Sequence, residues 1–276
     1  METACATVGR SSAPTTNGGP TSAGALSNLA SHRPLLPFRS LGLHHAQRGG
    51  SGRLIGTRPL QPGGEHADGL TRNALVPFGD GSYFELVTFL NPEDTGDNVW
   101  GWRGFLPREG LIDYCVASDD LGSDVRRLES LGFGVDGPDD GGRRLPDGTE
   151  IRWRYARMRQ EGRLLPFLIE DVTPRELRVP GASAAEHPNG ATGISRLEIS
   201  APDAEEAATS LSALVDARDG TGTSVRLGAC ALSPEATEKE DAAPGPLAVE
   251  LVGESGSSHE FDPLLAHGIR IRIQSR

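Results

Sequence analysis

Lysine is almost absent from this chain. Of its 27 basic residues only Lys239 is lysine and the rest are arginine, a bias that a GC-rich coding sequence explains better than any function. Cysteine is scarce too: Cys5, Cys115 and Cys230 are too few and too far apart for a disulfide framework or a C-x-x-C zinc site. A reducing, cytoplasmic setting is the expectation. No apolar run approaches the roughly 18 residues that a membrane span needs, so the sequence reads as that of a soluble protein without a membrane partner. P-loop, dinucleotide, H-E-x-x-H and G-x-S-x-G signatures are all missing. The net charge is -11, and the first 60 residues hold six arginines against one acid, Glu2. The body is therefore strongly acidic, which excludes nucleic acid as the main partner, because phosphate binding needs a basic footprint.

With 276 residues the chain has ample length to bury a core. Residues 1–53 are rich in Ser, Gly, Thr, Ala and Pro with no sustained apolar period, and read as disordered. Their Arg- and Ser-rich, acid-poor composition is also that of an organelle transit peptide; a start placed upstream of the true one gives the same composition. Order signals begin at Leu54. TRNALVPFGDGSYFELVTF, Thr71 to Phe89, reads as two strands joined at Gly79-Asp80-Gly81, since glycine supplies the positive φ that hairpin turns require. GLIDYCVASDD then leads into a helix with Leu121, Val125, Leu128 and Leu131 on one face. LGFGV is a strand, PDDGG a turn, and TEIRWRYAR and LLPFLIE are strands. GISRLEISAPD restarts the order 83 residues later, with Ala204, Ala207, Ala208, Leu211 and Leu214 inward in its helix. A repeat of this size is a β-α-β-β-β module. The expected division is a partial first module over 54–109, a second over 110–180 and a third over 190–276. No counterpart of the first strand and helix is legible near residues 25–45, so the first module reads as truncated.

Glu85, Glu170 and Glu250 each stand inside an apolar strand, in YFELV, LIEDV and AVELV. A pleated strand puts Glu85 on one face with Tyr83, Val87 and Phe89, where an ionised carboxylate needs a metal or a cation to offset its burial. Arg152 and Arg154 on a neighbouring strand are the candidate cations; a metal is the alternative. Cys115, between Tyr114 and Val116, reads as a buried inert thiol.

The stretches GGEHADGLTRNALVPFGDGSYFELV, GLIDYCVAS, LPDGTEIRWRYA, LPFLIEDVTPR and HPNGATGIS together resemble the glyoxalase-like family of the vicinal-oxygen-chelate superfamily. The resemblance runs from about Leu54 to the C-terminus. It implies an α+β fold of repeated β-α-β-β-β modules, each curling an open sheet around a cleft. It also implies a divalent metal, Fe, Mn, Ni or Zn, held by a first-strand His and a last-strand Glu and acting as a Lewis acid on a small oxygen-rich substrate. Carried onto this chain, the metal candidates are Glu85, Glu170, Asp113 and His66. Arg152, Arg154, Tyr83 and Trp153 are the expected substrate contacts. The chain departs from the pattern where Asp113 and Arg196 occupy the first-strand His positions. Three readings follow: a metal-dependent lyase, isomerase or dioxygenase-type enzyme; a metal-free module that binds or sequesters a small molecule; and an incomplete gene product without activity. A homodimer is among the expected assemblies, because such modules complete clefts across a dimer.

Overall fold

The computed structural model describes residues 2–4, 33–40, 61–106, 110–181, 186–217, 220–237, 243–253, 258–264, 266 and 268–275. Its strands form two sheets. The ten-stranded sheet contains β1 (Glu2–Ala4), β2 (Arg33–Ser40), β3 (Gln61–His66), β4 (Thr71–Pro77), β5 (Tyr83–Phe89), β6 (Gly110–Leu111), β7 (Cys115–Ala117), β8 (Val135–Arg144), β9 (Glu150–Met158) and β10 (Phe167–Asp171). The seven-stranded sheet contains β11 (Ala191–Ala201), β12 (Gly220–Thr221), β13 (Ser224–Leu227), β14 (Cys230–Ala236), β15 (Gly245–Gly253), β16 (His259–Glu260) and β17 (Arg270–Ser275). Helix α1 (Leu121–Ser130) follows β7, and α2 (Ala204–Leu214) follows β11.

The first sheet curls round on itself. β2 runs parallel to β5 and antiparallel to β7, so the path β2-β5-β4-β3-β8-β9-β10-β7 returns to its start. Side chains alternate accordingly. Along β5, Tyr83, Val87 and Phe89 join an inner apolar cluster with Trp102, Trp153, Phe167 and Ile169, whereas Phe84 and Leu86 join an outer core shared with Leu197, Ile199 and the helices. Period-two alternation thus gives one strand two buried faces. Asp120 and Asp203, at equivalent places in the repeat, cap α1 and α2 by accepting from Ser123 N and from Glu205 N and Glu206 N, as N-cap acids do.

Several expectations change. Each module places its first strand parallel to its last: β2 with β5, β7 with β10, and β11 with β14. Glu250 lies on β15, which is antiparallel to β11, so it does not hold a last-strand place; the even spacing from Glu170 misled. PDDGG is part of β8, accommodated by a register shift between Asp136 and Asp139. Leu131 is 55% exposed because it caps α1 instead of continuing it. Arg33–Ser40, inside the stretch expected to be disordered, forms a strand in the first-strand place of module one. Pro34 and Pro37 hide it from a sequence reading, since proline is normally confined to strand edges. Here β7 pairs only with Arg33, Pro34 and Leu35, and β5 only with Leu36 and Pro37, so among the described residues each stretch is paired along one side. A helix of the first module would fall on residues 41–60, which lie outside the described residues.

Candidate functional site

Inside the curled sheet, three consecutive antiparallel strands and one strand of the next module each contribute one polar side chain. β3 ends on His66, β4 carries Asn73, β5 carries Glu85, and β8 brings Arg143 directly opposite His66. Asn73 pairs with Val87 and Glu85 with Leu75, so Asn73 and Glu85 are diagonal neighbours on the inner face, within reach of each other. Asn73 Nδ2 donates to Glu85 Oε1 at 2.6 Å. His66 Nε2 stands 3.4 Å from the same oxygen and 3.3 Å from Asn73 Nδ2, while its Nδ1 lies 2.7 Å from Thr71 Oγ1. These four residues and an aromatic wall of Trp100, Trp102 and Trp153 enclose a chamber of about 40 Å³. His66 and Arg143 also border an open cleft of about 630 Å³ with Arg152 among its lining residues.

The pole of this chamber is rich in guanidinium. Arg143 is buried, and its Nη2 donates to Arg178 O at 2.5 Å. Burial, together with the neighbouring Arg178 cation, pulls Arg143 down to about 10, against an opposing effect of Glu85. Arg178, on the helical turn Arg175–Arg178, grips Asp171 through Nε and Nη2 and donates from Nη1 to the Tyr83 hydroxyl. Burial pushes the Glu85 carboxyl up, but His66, the Asn73 amide and Arg143 more than reverse this and hold it below the usual carboxylate range. Among the described residues lining the chamber, two buried side-chain atoms have no protein partner, Asn73 Oδ1 and Arg143 Nε. Gly63 makes their positions possible: a Cβ there would fall 1.7 Å from Asn73 Oδ1 and 2.9 Å from Arg143 Nη1.

Of the four metal candidates, the fold brings His66 and Glu85 together and leaves two elsewhere. Glu170 faces away from Phe167 and Ile169, which line the chamber, and pairs with Arg154. Asp113 is buried against Trp102 Nε1 at 3.0 Å and Arg163 Nε at 3.4 Å, and burial raises its carboxyl despite both partners. Tyr83 and Trp153 line the chamber, Arg152 lies along the cleft, and Arg154 lies on the opposite face of β9 from Trp153. Sequence reasoning missed Asn73, Arg143, Arg178 and Asp171. Asp171, one residue beyond Glu170, is the charged residue of β10 with inward parity. Arg143 was hidden in GGRR, just after residues read as a turn.

A family model described as a glyoxalase-like domain matches residues 38–215. Among solved structures, a hypothetical protein from Staphylococcus aureus aligns with a TM-score of 0.65 and 16% identity over 79% of this chain and 90% of its own; at that identity the likeness concerns the fold alone. A xylose isomerase-like TIM barrel/4-hydroxyphenylpyruvate dioxygenase fusion protein aligns with a TM-score of 0.45 and 15% identity over 79% of this chain and 36% of that one. No curated protein gave a match.

Proposed function

Because the chain belongs to the glyoxalase-like domain family, we propose that it binds a small oxygen-rich anion, with the anionic end in the chamber and the remainder in the open cleft past His66 and Arg143. Arg143 carries this reading. A buried guanidinium whose Nε has no partner is costly unless something accepts from it, and the cations Arg143, Arg175 and Arg178 around this pole outnumber the anions Glu85 and Asp171. Arginine is also the side chain whose planar fork best matches a carboxylate.

Members of the wider superfamily often use a divalent metal, and the donor set here fits one poorly. Among the described residues lining the chamber the conventional ligands are His66, Glu85 and the Cys115 thiol, and the described residues contain no group of three or more His, Cys, Asp or Glu placed to hold a metal. The amide N–H of Asn73 sits against both His66 and Glu85, and Arg143 lies close enough to Glu85 to repel an incoming cation. The reading favoured is a metal-free binding site, with no chemical step routed through a metal. Elemental analysis of purified untagged protein is expected to find Mn, Fe, Ni and Zn each well below one equivalent. A near-stoichiometric metal that disappears in Glu85→Gln would sink the metal-free reading.

All three tryptophans of the chain, Trp100, Trp102 and Trp153, line the chamber, so intrinsic emission reports on this site alone. Titration with small carboxylates is expected to shift that emission saturably. Arg143→Gln should weaken the response about 10- to 100-fold, the range for losing a charged hydrogen bond; equal affinity in the variant would refute the role of Arg143.

A further inference from the structure

We infer that residues 91–106, the strap that carries Trp100 and Trp102, act as a lid that lifts to make room for the anionic end of the ligand and closes over it. The nature of the ligand rests on the anion reading above; the lid rests on how the chamber is built. Its space of about 40 Å³ is little more than the roughly 30 Å³ that one water occupies in the liquid, whereas sites for small organic ligands run from about 300 Å³ upward. A carboxylate with the carbon that bears it is larger than a water, so a wall has to give way before it is seated. The strands cannot supply that movement without breaking their ladder hydrogen bonds. Among the described lining residues, Trp100, Trp102 and Arg178 stand off the strands, and Arg178 is tied to Asp171, Tyr83 and Arg143. The strap is the wall that is left.

The strap is built to move as one piece. Asn98 Oδ1 accepts from Trp100 N and Trp102 N, both at 3.2 Å, and Asp97 Oδ1 accepts from Arg103 N at 2.9 Å. The Arg103 guanidinium turns back to the carbonyls of Asn91, Pro92 and Gly96. These polar groups are satisfied inside the segment, as in a compact Ω-loop, and stay so when it shifts as a body. The sheets reach it through side chains, and they hold the two tryptophans differently. Trp102 is buried and its Nε1 donates to Asp113 Oδ2 at 3.0 Å, which makes it the pivot. Trp100 is only partly buried; it stacks on Trp102 and lies against Tyr155 and Phe167, with ring centres 4.6 and 4.3 Å away. Its stretch of backbone is latched by Arg157 Nη1, which donates to Val99 O at 2.6 Å, and by Arg163 Nη2, which donates to Trp100 O. The Arg157 bond is exposed, and water replaces such a bond at small net cost. Lifting the Trp100 end therefore opens the chamber while His66, Asn73, Glu85 and Arg143 stay on their strands.

The chain carries its own reporter of this motion. Cys115 is buried and lines the chamber, whereas Cys230 is buried in the outer core. Labelling of the full folded chain with iodoacetamide, read for each cysteine by peptide mass spectrometry, follows opening at both places. Arg157→Met removes the outer latch and leaves the chamber lining unchanged. Cys115 is expected to label about fivefold faster in this variant, the equivalent of one exposed hydrogen bond, and saturating propionate should slow it in both proteins. Cys230, which needs global unfolding, should label more slowly than Cys115 and at the same rate in both. Equal Cys115 rates in the two proteins, or Cys115 and Cys230 labelling together, overturn the lid and leave the anion reading in place. A latch effect on Cys115 with no protection by propionate overturns the anion reading and leaves the lid.

Discussion

Replacing Arg178 with methionine is expected to destabilise the folded chain by about 3 kcal/mol, the lower end of what breaking a buried ion pair costs when one charge is left behind. Arg178 is 3% exposed and ties three parts of the site together. It holds Asp171 at the end of β10, donates to Tyr83 on β5, and receives the Arg143 bond from β8 on its own carbonyl. Methionine keeps the bulk and removes the charge. Asp171 would retain Arg175, whose Nη1 lies 3.1 Å from Oδ2 and whose Nη2 donates to Gly81 O at 2.9 Å, which places the expected loss at the lower end. The pH dependence follows from the same contacts. Burial pushes the Asp171 carboxyl up, and Arg178 and Arg175 more than reverse it, so its folded-state pKa lies below the ordinary value. A depressed carboxylate contributes stability above its unfolded pKa and loses it as pH falls through the folded one. With Arg178 gone the loss should begin at higher pH, so the variant's acid transition moves upward. Urea unfolding at neutral pH and an acid titration followed by circular dichroism measure both; a cost under about 1 kcal/mol would mean that the pair is replaceable and the site less rigid than its contacts imply.

What the sequence made legible was set by local chemistry. The hairpin around Gly79-Asp80-Gly81 formed as expected, with Phe78 N donating to Ser82 O and Gly81 at φ 81°, because alternation and turn glycines act within a few residues. The inner placement of Glu85 together with Tyr83 followed from parity along a single strand. Parity between strands was the harder matter. Glu170 and Asp171 are adjacent, one must face inward, and only the register of β10 against β9 and β7 decides which. Arg143 depends on a longer-range fact still, the pairing of β3 with β8 that sets it opposite His66. No periodicity in either segment encodes that pairing. Asn73 lay in plain view in TRNALV, but its value comes from two neighbours on other strands and from the vacancy at Gly63.

The register also changes what the three echoing glutamates mean. Glu85 lies in the chamber with a polar cluster, Glu170 in a salt bridge with Arg154, and Glu250 against Ser195 Oγ and Gln274 Nε2. One pattern in the sequence thus serves three different electrostatic solutions, each of which meets the same requirement that a carboxylate among strands find a partner.

Asp80→Asn is expected to stabilise the protein at pH 7.5, by up to about 3 kcal/mol, and to flatten its stability profile. Asp80 sits at the tip of the β4–β5 turn, where the two sheets meet. Its N–H donates to Thr192 O at 3.1 Å, its Oδ1 accepts from Ser82 N and Oγ, and Gly193 must lack a side chain because a Cβ would fall 2.0 Å from Oδ2. Burial raises its carboxyl from 3.8 to about 6, against the lowering effect of the Ser82 bonds. A carboxyl whose folded-state pKa is raised binds more protons folded than unfolded between those two values. Stability attributable to it therefore falls as pH rises from about 4 to about 6 and stays low above that. Asparagine keeps the oxygen that Ser82 bonds and removes the charge, so the penalty present at pH 7.5 disappears, less whatever it costs to place the new N–H₂ near Gly193. Thermal unfolding of both proteins at pH 5 and pH 7.5 separates the cases: the gain should be larger at pH 7.5. A variant less stable than the wild type at both values would mean that the ionised carboxylate is itself a binding element between the sheets, and that the junction, like the chamber, is organised around a charge.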